Sequence, residues 1–183
     1  MSNPISRMGG QLLQPDATPV TLIGYTRISK ASDIPVVAAN MRVEDVAEVL
    51  AAEGQGPKEA LLFCFMAGKP CMTICNSKDK PIAMWGVTPD AGKVGRVWML
   101  GTDELVGDRR IRVRFLREVK AYLKELFKTY AVLWNCVDAR NTVHIRWIQW
   151  MGFTFVAKHP NYGAEGRLFL EFCQVSPCAL QPL

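Results

Sequence analysis

The feature that most narrows the fold is one long amphipathic helix set between two short apolar runs. Over residues 108–129, apolar side chains recur at Ile111, Phe115, Val119, Tyr122, Leu123 and Leu126. That spacing gives a helix a single buried stripe. Residues 96–101 (RVWMLG) precede it and residues 131–137 (AVLWNCV) follow it, and both read as strands. A helix of this length must carry the chain across a sheet before the next strand begins. A mixed sheet with parallel pairing somewhere in it is therefore implied.

The rest of the chain fits around that crossover. Residues 21–28 (TLIGYTRI) read as a first strand, and Ser32 or Asp33 is suited to cap a short turn before Pro35. Residues 43–52 predict an amphipathic helix with Val43, Val46, Ala47, Val49 and Leu50 on its apolar side, ended by Gly54 and Gly56. Pro57 opens a second helix to about residue 66, with Leu61, Leu62 and Phe65 inward. Residues 70–75 and 81–87 join 96–101 in a meander. Asn141 caps a helix over 142–151 that Gly152 stops, and 153–158 and 167–173 make a last strand pair. The order is β-α-α-β-β-β-α-β-α-β-β. It predicts an α/β domain over residues 21–173, a central mixed sheet flanked by helices. Residues 1–20 are expected to form an extended arm and 174–183 a proline-containing tail.

At 183 residues, half of them hydrophobic, the chain can bury one substantial core. It has no apolar run of the roughly 18–20 residues a membrane span needs. Its first residues lack the apolar segment of a signal peptide, so neither membrane insertion nor secretion is expected. Cys64, Cys71, Cys75, Cys136, Cys173 and Cys178 form no C-x-x-C pair, and His144 and His159 are the only histidines. Reduced, buried thiols are expected, with no metal centre. Charge is uneven: residues 1–104 carry a net −1 and residues 105–183 a net +6. A basic half suits an acidic partner, a phosphate ligand or nucleic acid.

Two resemblances follow from particular residues. The segment NTVHIRWIQWMGF, with Asn141 at a helix start, Ile145 on the apolar stripe and the exit Met151-Gly152-Phe153, resembles the fourth-helix signature of the GNAT acetyltransferase superfamily. The element order is also similar. More specifically, the run from Tyr130 to Phe155 resembles the internal virion protein A family of short-tailed bacteriophages. The shared features are Leu133-Trp134-Asn135, then Asn141, Thr142, His144, Ile145 and Arg146, then Gly152. That likeness spans about residues 81–172. It implies a phage-encoded protein made in the bacterial cytoplasm and packaged into virions, with other virion proteins as partners.

The GNAT resemblance implies a test for activity. Such enzymes hold the pyrophosphate of acetyl-CoA on a glycine loop that opens the long helix, where backbone amides reach the phosphates. The aligned window here runs Gly107, Asp108, Arg109, Arg110, Ile111, Arg112. Arg110 and Arg112 stand where the family has glycines, and Asp108 adds a like charge. Arginines can also grip an anion from the side, so Arg109 to Arg112 are the candidate cofactor contacts. Where many of these enzymes place a tyrosine acid, this chain has Ile148.

Asp103 and Glu104 are candidate bases or a solvated pair. Asn141 is a candidate ligand of a cofactor amide or simply a helix cap. His144 reads as packing or surface rather than catalysis. The implied function is a virion structural or assembly protein using a GNAT-like domain as a scaffold, with no cofactor expected. The alternative is an active N-acetyltransferase that takes acetyl-CoA. The interaction candidates lie on the basic face of the long helix, at Arg110, Arg114, Arg117, Lys124 and Lys128. That face is either solvated or meets an acidic protein or DNA. Trp147 and Trp150 cannot both be buried beside Ile145 and Ile148, so one of them is a candidate partner contact.

Overall fold

The computed structural model describes residues 26–177. In chain order these form β1 (Thr26–Ile28), α1 (Asp33–Ala39), α2 (Val43–Glu53), α3 (Pro57–Ala67), β2 (Cys71–Cys75), β3 (Pro81–Pro89) and β4 (Val94–Gly101). Then come α4 (Asp103–Gly107), α5 (Arg109–Thr129), β5 (Val132–Asp138), α6 (Thr142–Trp150), β6 (Thr154–Tyr162) and β7 (Arg167–Val175). The strands form one sheet in the order β1-β2-β3-β4-β5-β7-β6. Every neighbouring pair is antiparallel except β4–β5, which is parallel and is joined by the α5 crossover. The mixed sheet implied by the long helix is thus present. The expected arm over 1–20, most of the first strand, Cys178 and the end of the tail lie outside the described residues.

Helix α5 forms as its periodicity dictates: Ile111, Phe115, Val119, Tyr122, Leu123 and Leu126 are all buried. They pack on one face of the sheet with Trp85, Leu133, Trp147 and Phe172. On the other face α1, α2 and α3 bury Ile34, Val37, Val49 and Leu61 against Met84, Trp98 and Leu100. α6 is capped by Asn141 and ends at Gly152, whose φ of 94° favours glycine. No helix among the described residues is long and apolar enough to cross a membrane. Cys64, Cys71, Cys75, Cys136 and Cys173 are free; Cys75 and Cys136 are buried and the other three half-buried.

Four local expectations need correcting. Residues 103–107 form a short helix, α4, rather than a loop. Leu62 of α3 is 46% exposed instead of inward. In α2, Val43 and Leu50 are exposed while Asp45 is buried, so the helix is turned from its apolar stripe. The cause is a polar cluster, described below, that needs Arg42 and Asp45 at the end of β4. The last strand also runs two residues further than its pattern suggests, to Val175.

The β1 edge is held by a buried carboxylate. Asp33 accepts from both terminal nitrogens of Arg27 at 2.7 and 2.8 Å, from Lys30 N at 2.8 Å and from Thr73 Oγ1 at 2.8 Å. One side chain thereby ties β1, α1 and β2 together. Burial alone would raise its pKa, but the bonds from Arg27, Lys30 and Thr73 together outweigh that and hold it below the usual value. Replacing Asp33 with Ala leaves the Arg27 guanidinium and the Lys30 amide without this carboxylate, while Thr73 keeps its bond to Ser29. A loss of about 2–3 kcal/mol is expected in urea unfolding. The stabilisation is present above the unfolded-state pKa and disappears as pH falls through the folded one. Wild type should therefore lose its advantage over Asp33→Ala on acidification, and a pH-independent difference would refute this assignment.

Candidate functional site

The parallel pair at the centre of the sheet is short. β4 and β5 are in register only at Val94 with Val132, Gly95 with Leu133 and Arg96 with Trp134. Both strands continue beyond that point, to Gly101 and Asp138, without pairing to each other. A cavity of about 440 Å³ occupies the split. Its walls include Val97 and Met99 of β4 and Asn135 and Val137 of β5. It reaches Glu48 of α2 on one face of the sheet and Phe115 of α5 and Trp147 of α6 on the other.

Strand edges that stop pairing leave backbone donors and acceptors to satisfy. Here the chain's own side chains meet several of them. Asn135 Nδ2 donates to the Val97 carbonyl at 2.8 Å, and its Oδ1 accepts from Cys136 N at 2.8 Å. Gly101 N donates to Asp45 Oδ2 at 2.9 Å, and the Gly101 carbonyl accepts from Arg42 N at 2.9 Å. The other Asp45 oxygen accepts from Arg42 Nη1 at 3.3 Å and from Asn141 Nδ2 at 3.3 Å, and it lies 3.6 Å from His144 Nε2. Asn141 Nδ2 also donates to Glu48 Oε2 at 2.9 Å. Arg42, Asp45 and Asn141 are at most 2% exposed, so water reaches the cluster only at Glu48, which is half-buried on the cavity wall.

Two groups in this cluster have displaced pKa values. Burial pushes the Glu48 carboxyl up to about 8, with the nearby Asp45 and Asp138 charges adding to the shift and the Asn141 bond opposing it. Burial lowers the His144 pKa, with Arg42 acting the same way and Asp45 opposing. Glu48 lines the cavity, so a carboxyl that holds its proton near neutrality faces the split.

The start of α5 is occupied. Asp108 is its N-cap, and one carboxylate oxygen accepts from Arg110 N at 2.7 Å and from Ile111 N at 3.3 Å. The Ile111 side chain turns into the core, and Arg112 Nη1 donates to the Val106 carbonyl at 2.6 Å. Arg109 and Arg110 are exposed. The amides that would receive a phosphate here bond a carboxylate of the same chain instead.

The other candidates are scattered. Asp103 is 86% exposed at the start of α4, with an oxygen 4.0 Å from Arg42 Nε. Glu104 accepts from Asn76 Nδ2 at 2.7 Å. Neither carboxylate lines the cavity. Asn141 Oδ1 accepts from His144 N at 3.4 Å as a helix cap, while its amide is taken by Asp45 and Glu48. Ile148 is buried on the cavity wall. The Tyr130 hydroxyl donates to the Lys69 carbonyl, and Tyr162 sits at the cavity beside Cys136. Sequence reasoning missed Arg42, Asp45, Glu48 and Asn135. The only available signals were charges on a helix otherwise patterned for burial and an asparagine inside an apolar strand.

On the outer face of α5, Arg110, Arg117, Lys124 and Lys128 are exposed. Arg114 bonds Glu118 at 2.8 Å, and Lys128 lies 2.6 Å from Glu125. Trp147 is buried against Phe115, whereas Trp150 is 45% exposed with Lys120 Nζ 4.7 Å above its ring. The basic face therefore continues onto an exposed indole.

This fold, with its split parallel pair, is that of the GNAT acetyltransferases. The ribosomal-protein-S18-alanine N-acetyltransferase from Escherichia coli superposes with a TM-score of 0.62 at 14% identity, covering 86% of this chain and 97% of that one. The spermidine N-acetyltransferase from Vibrio cholerae, solved with CoA and spermine, gives 0.63 at 11% identity, covering 85% and 97%. A GNAT-family acetyltransferase from Bacillus anthracis gives 0.62 at 10% identity, covering 82% and 93%. In sequence, residues 71–160 match the model of a family described as bacteriophage T7 probable scaffold protein Gp13. No curated protein matches the chain.

The Glu48 assignment has a thermodynamic signature. Its pKa is raised on folding, so between the usual carboxyl range and about pH 8 the folded state holds a proton that the unfolded state has lost. Stability due to this group therefore falls as pH rises through that window. Glu48→Gln should remove the dependence and exceed wild type by on the order of 2 kcal/mol at pH 8. That is well below the full linkage value, because Glu48 keeps part of its surface accessible. Parallel stability curves for the two proteins from pH 5 to 8 would show that Glu48 ionises normally.

Proposed function

We propose that this chain is a bacteriophage virion-associated structural or assembly protein, similar to internal virion protein A, that uses its GNAT-like domain as a protein-interaction scaffold without transferring acetyl groups. The observation that carries this reading is the start of α5, where Asp108 occupies the amides of Arg110 and Ile111. An incoming pyrophosphate would have to displace a carboxylate that also repels it. The self-satisfied edges at Val97 and Gly101 support the same reading. So does the match of residues 71–160 to a phage scaffold family. The partners are other virion proteins, met through the α5 face and Trp150. The protein would then reside in the virion and, during assembly, in the host bacterial cytoplasm.

One observation favours a second reading, an acetyl-CoA-dependent N-acetyltransferase acting on a host protein or a small amine. Glu48 faces the cavity with a pKa of about 8, suited to a general base for an amine. A third reading takes the basic α5 face to duplex DNA, and it demands an affinity that falls steeply with salt.

Quantitative mass spectrometry of purified particles of the encoding phage tests the leading reading, which expects the protein at a fixed copy number per particle. Arg117→Glu with Lys124→Glu should lower its incorporation by about tenfold while leaving its melting temperature unchanged. Absence from wild-type particles, or full incorporation of the charge-reversed protein, would count against this role for the domain and for the α5 face respectively.

A further inference from the structure

The sheet brings together three side chains that no sequence motif links. Cys136 of β5 stands directly opposite Glu171 of β7 in the antiparallel register. On β6, Ala157 pairs with Glu171, and His159 follows two residues later opposite Phe169. His159 Nε2 lies 2.7 Å from Glu171 Oε2. The Cys136 sulfur, the His159 nitrogen and the Glu171 oxygen all lie within 4.8 Å of one another. The geometry points to a site for one zinc-class divalent cation held by Cys136, His159 and Glu171.

The donor set fits that class. One thiolate, one imidazole and one carboxylate are the ligand types zinc takes, and the two negative charges balance the ion. At zinc–ligand distances of about 2.0–2.3 Å, tetrahedral ligands sit about 3.5 Å apart, so the cluster needs to close by about 1 Å as the ion replaces the His159–Glu171 bond. Neighbouring strands hold all three residues, which limits the ordering cost. Binding displaces the Cys136 thiol proton to solvent, and the proton of the His159–Glu171 bond leaves Nε2, either to solvent or through the tautomer protonated on Nδ1. Burial and Glu171 keep the thiol proton in place in the free protein, and a cation reverses this balance.

Tyr162 lines the same cavity as Cys136, and its phenol can hydrogen-bond a thiolate there, as outer groups around metal sites commonly do. The His159 and Glu171 side chains are 39% and 29% exposed, so the solvent side is open for water as a fourth ligand. The ion would pin β6 to β7 and β5 beside the cavity that Cys136 and Tyr162 line.

The sequence had suggested no metal site, because 23 and 12 residues separate these ligands and neither spacing is a metal motif. Only the strand register unites them. The test uses the full chain, stripped with chelator, equilibrated with zinc chloride and desalted. Elemental analysis should find one zinc per chain in wild type and none in a Cys136→Ser, His159→Ala double variant. Zinc a hundredfold above its dissociation constant should raise the wild-type melting temperature by about 5–10 °C and leave the variant unmoved. Cobalt chloride should give a thiolate-to-cobalt charge-transfer band and tetrahedral ligand-field bands, both lost in Cys136→Ser. Should Cys136→Ser fail to fold, His159→Ala and Glu171→Gln carry the same comparison from partly exposed positions. Equal zinc retention by variants and wild type, or a cobalt spectrum without a thiolate band, would overturn the site.

Discussion

The parallel contact between β4 and β5 lasts three residue pairs, and most of what is distinctive about this molecule follows from its ending there. A sheet that splits exposes backbone groups on both inner edges and opens a space between two packed faces. The crossover helix α5 carries the chain back across the sheet so that β5 can run parallel to β4. α6 starts just past β5, where the gap is closed by side chains rather than by strand pairing. The 440 Å³ cavity is the volume those elements leave between them.

The chain fills the split with its own side chains. Asn135 takes the Val97 carbonyl. Asp45 and Arg42 take both backbone groups of Gly101. Asn141 then joins Asp45 to Glu48, which extends the cluster from the strand end to the cavity wall. Buried charges are tolerable when paired and hydrogen-bonded, and placing a first-turn aspartate of α2 at the end of β4 pairs Asp45 with Arg42, although Arg42 Nε itself has no hydrogen-bond partner. At the other anion-receptive point, the start of α5, Asp108 makes a similar internal substitution. At both places a carboxylate of the chain itself takes the backbone amides, which suits the scaffold reading proposed above. The retained apolar cavity and the Glu48 carboxyl, whose pKa burial raises, are the features that a catalytic reading has to build on.

The helices and strands whose signals are local were legible in the sequence. The six buried residues of α5 were its periodic ones, Asn141 caps α6, and the crossover predicted the one parallel pair. What escaped depends on partners far along the chain. The orientation of α2 is set by bonds from Asp45 to Gly101 and Asn141, 56 and 96 residues away, and these override its apolar stripe. Leu50 and Leu62 read as inward from the apolar pattern of their helices, yet they are 38% and 46% exposed. Asn135 looked like one letter of a strand motif, and its bond across the split is visible only in three dimensions. The pairing of Cys136 with His159 and Glu171 likewise arises from register alone. For the tryptophans the sequence posed the right alternative, that one of the two faces outward, and the structure assigns it to Trp150.

The central claim is that the anion position at the start of α5 is filled from within the chain. Isothermal titration calorimetry of the purified protein with acetyl-CoA tests it most directly, with Asp108→Gly as the comparison. The account predicts no saturable heat for wild type at ligand concentrations into the high micromolar range. Micromolar, saturable binding of acetyl-CoA by the wild-type chain would contradict it.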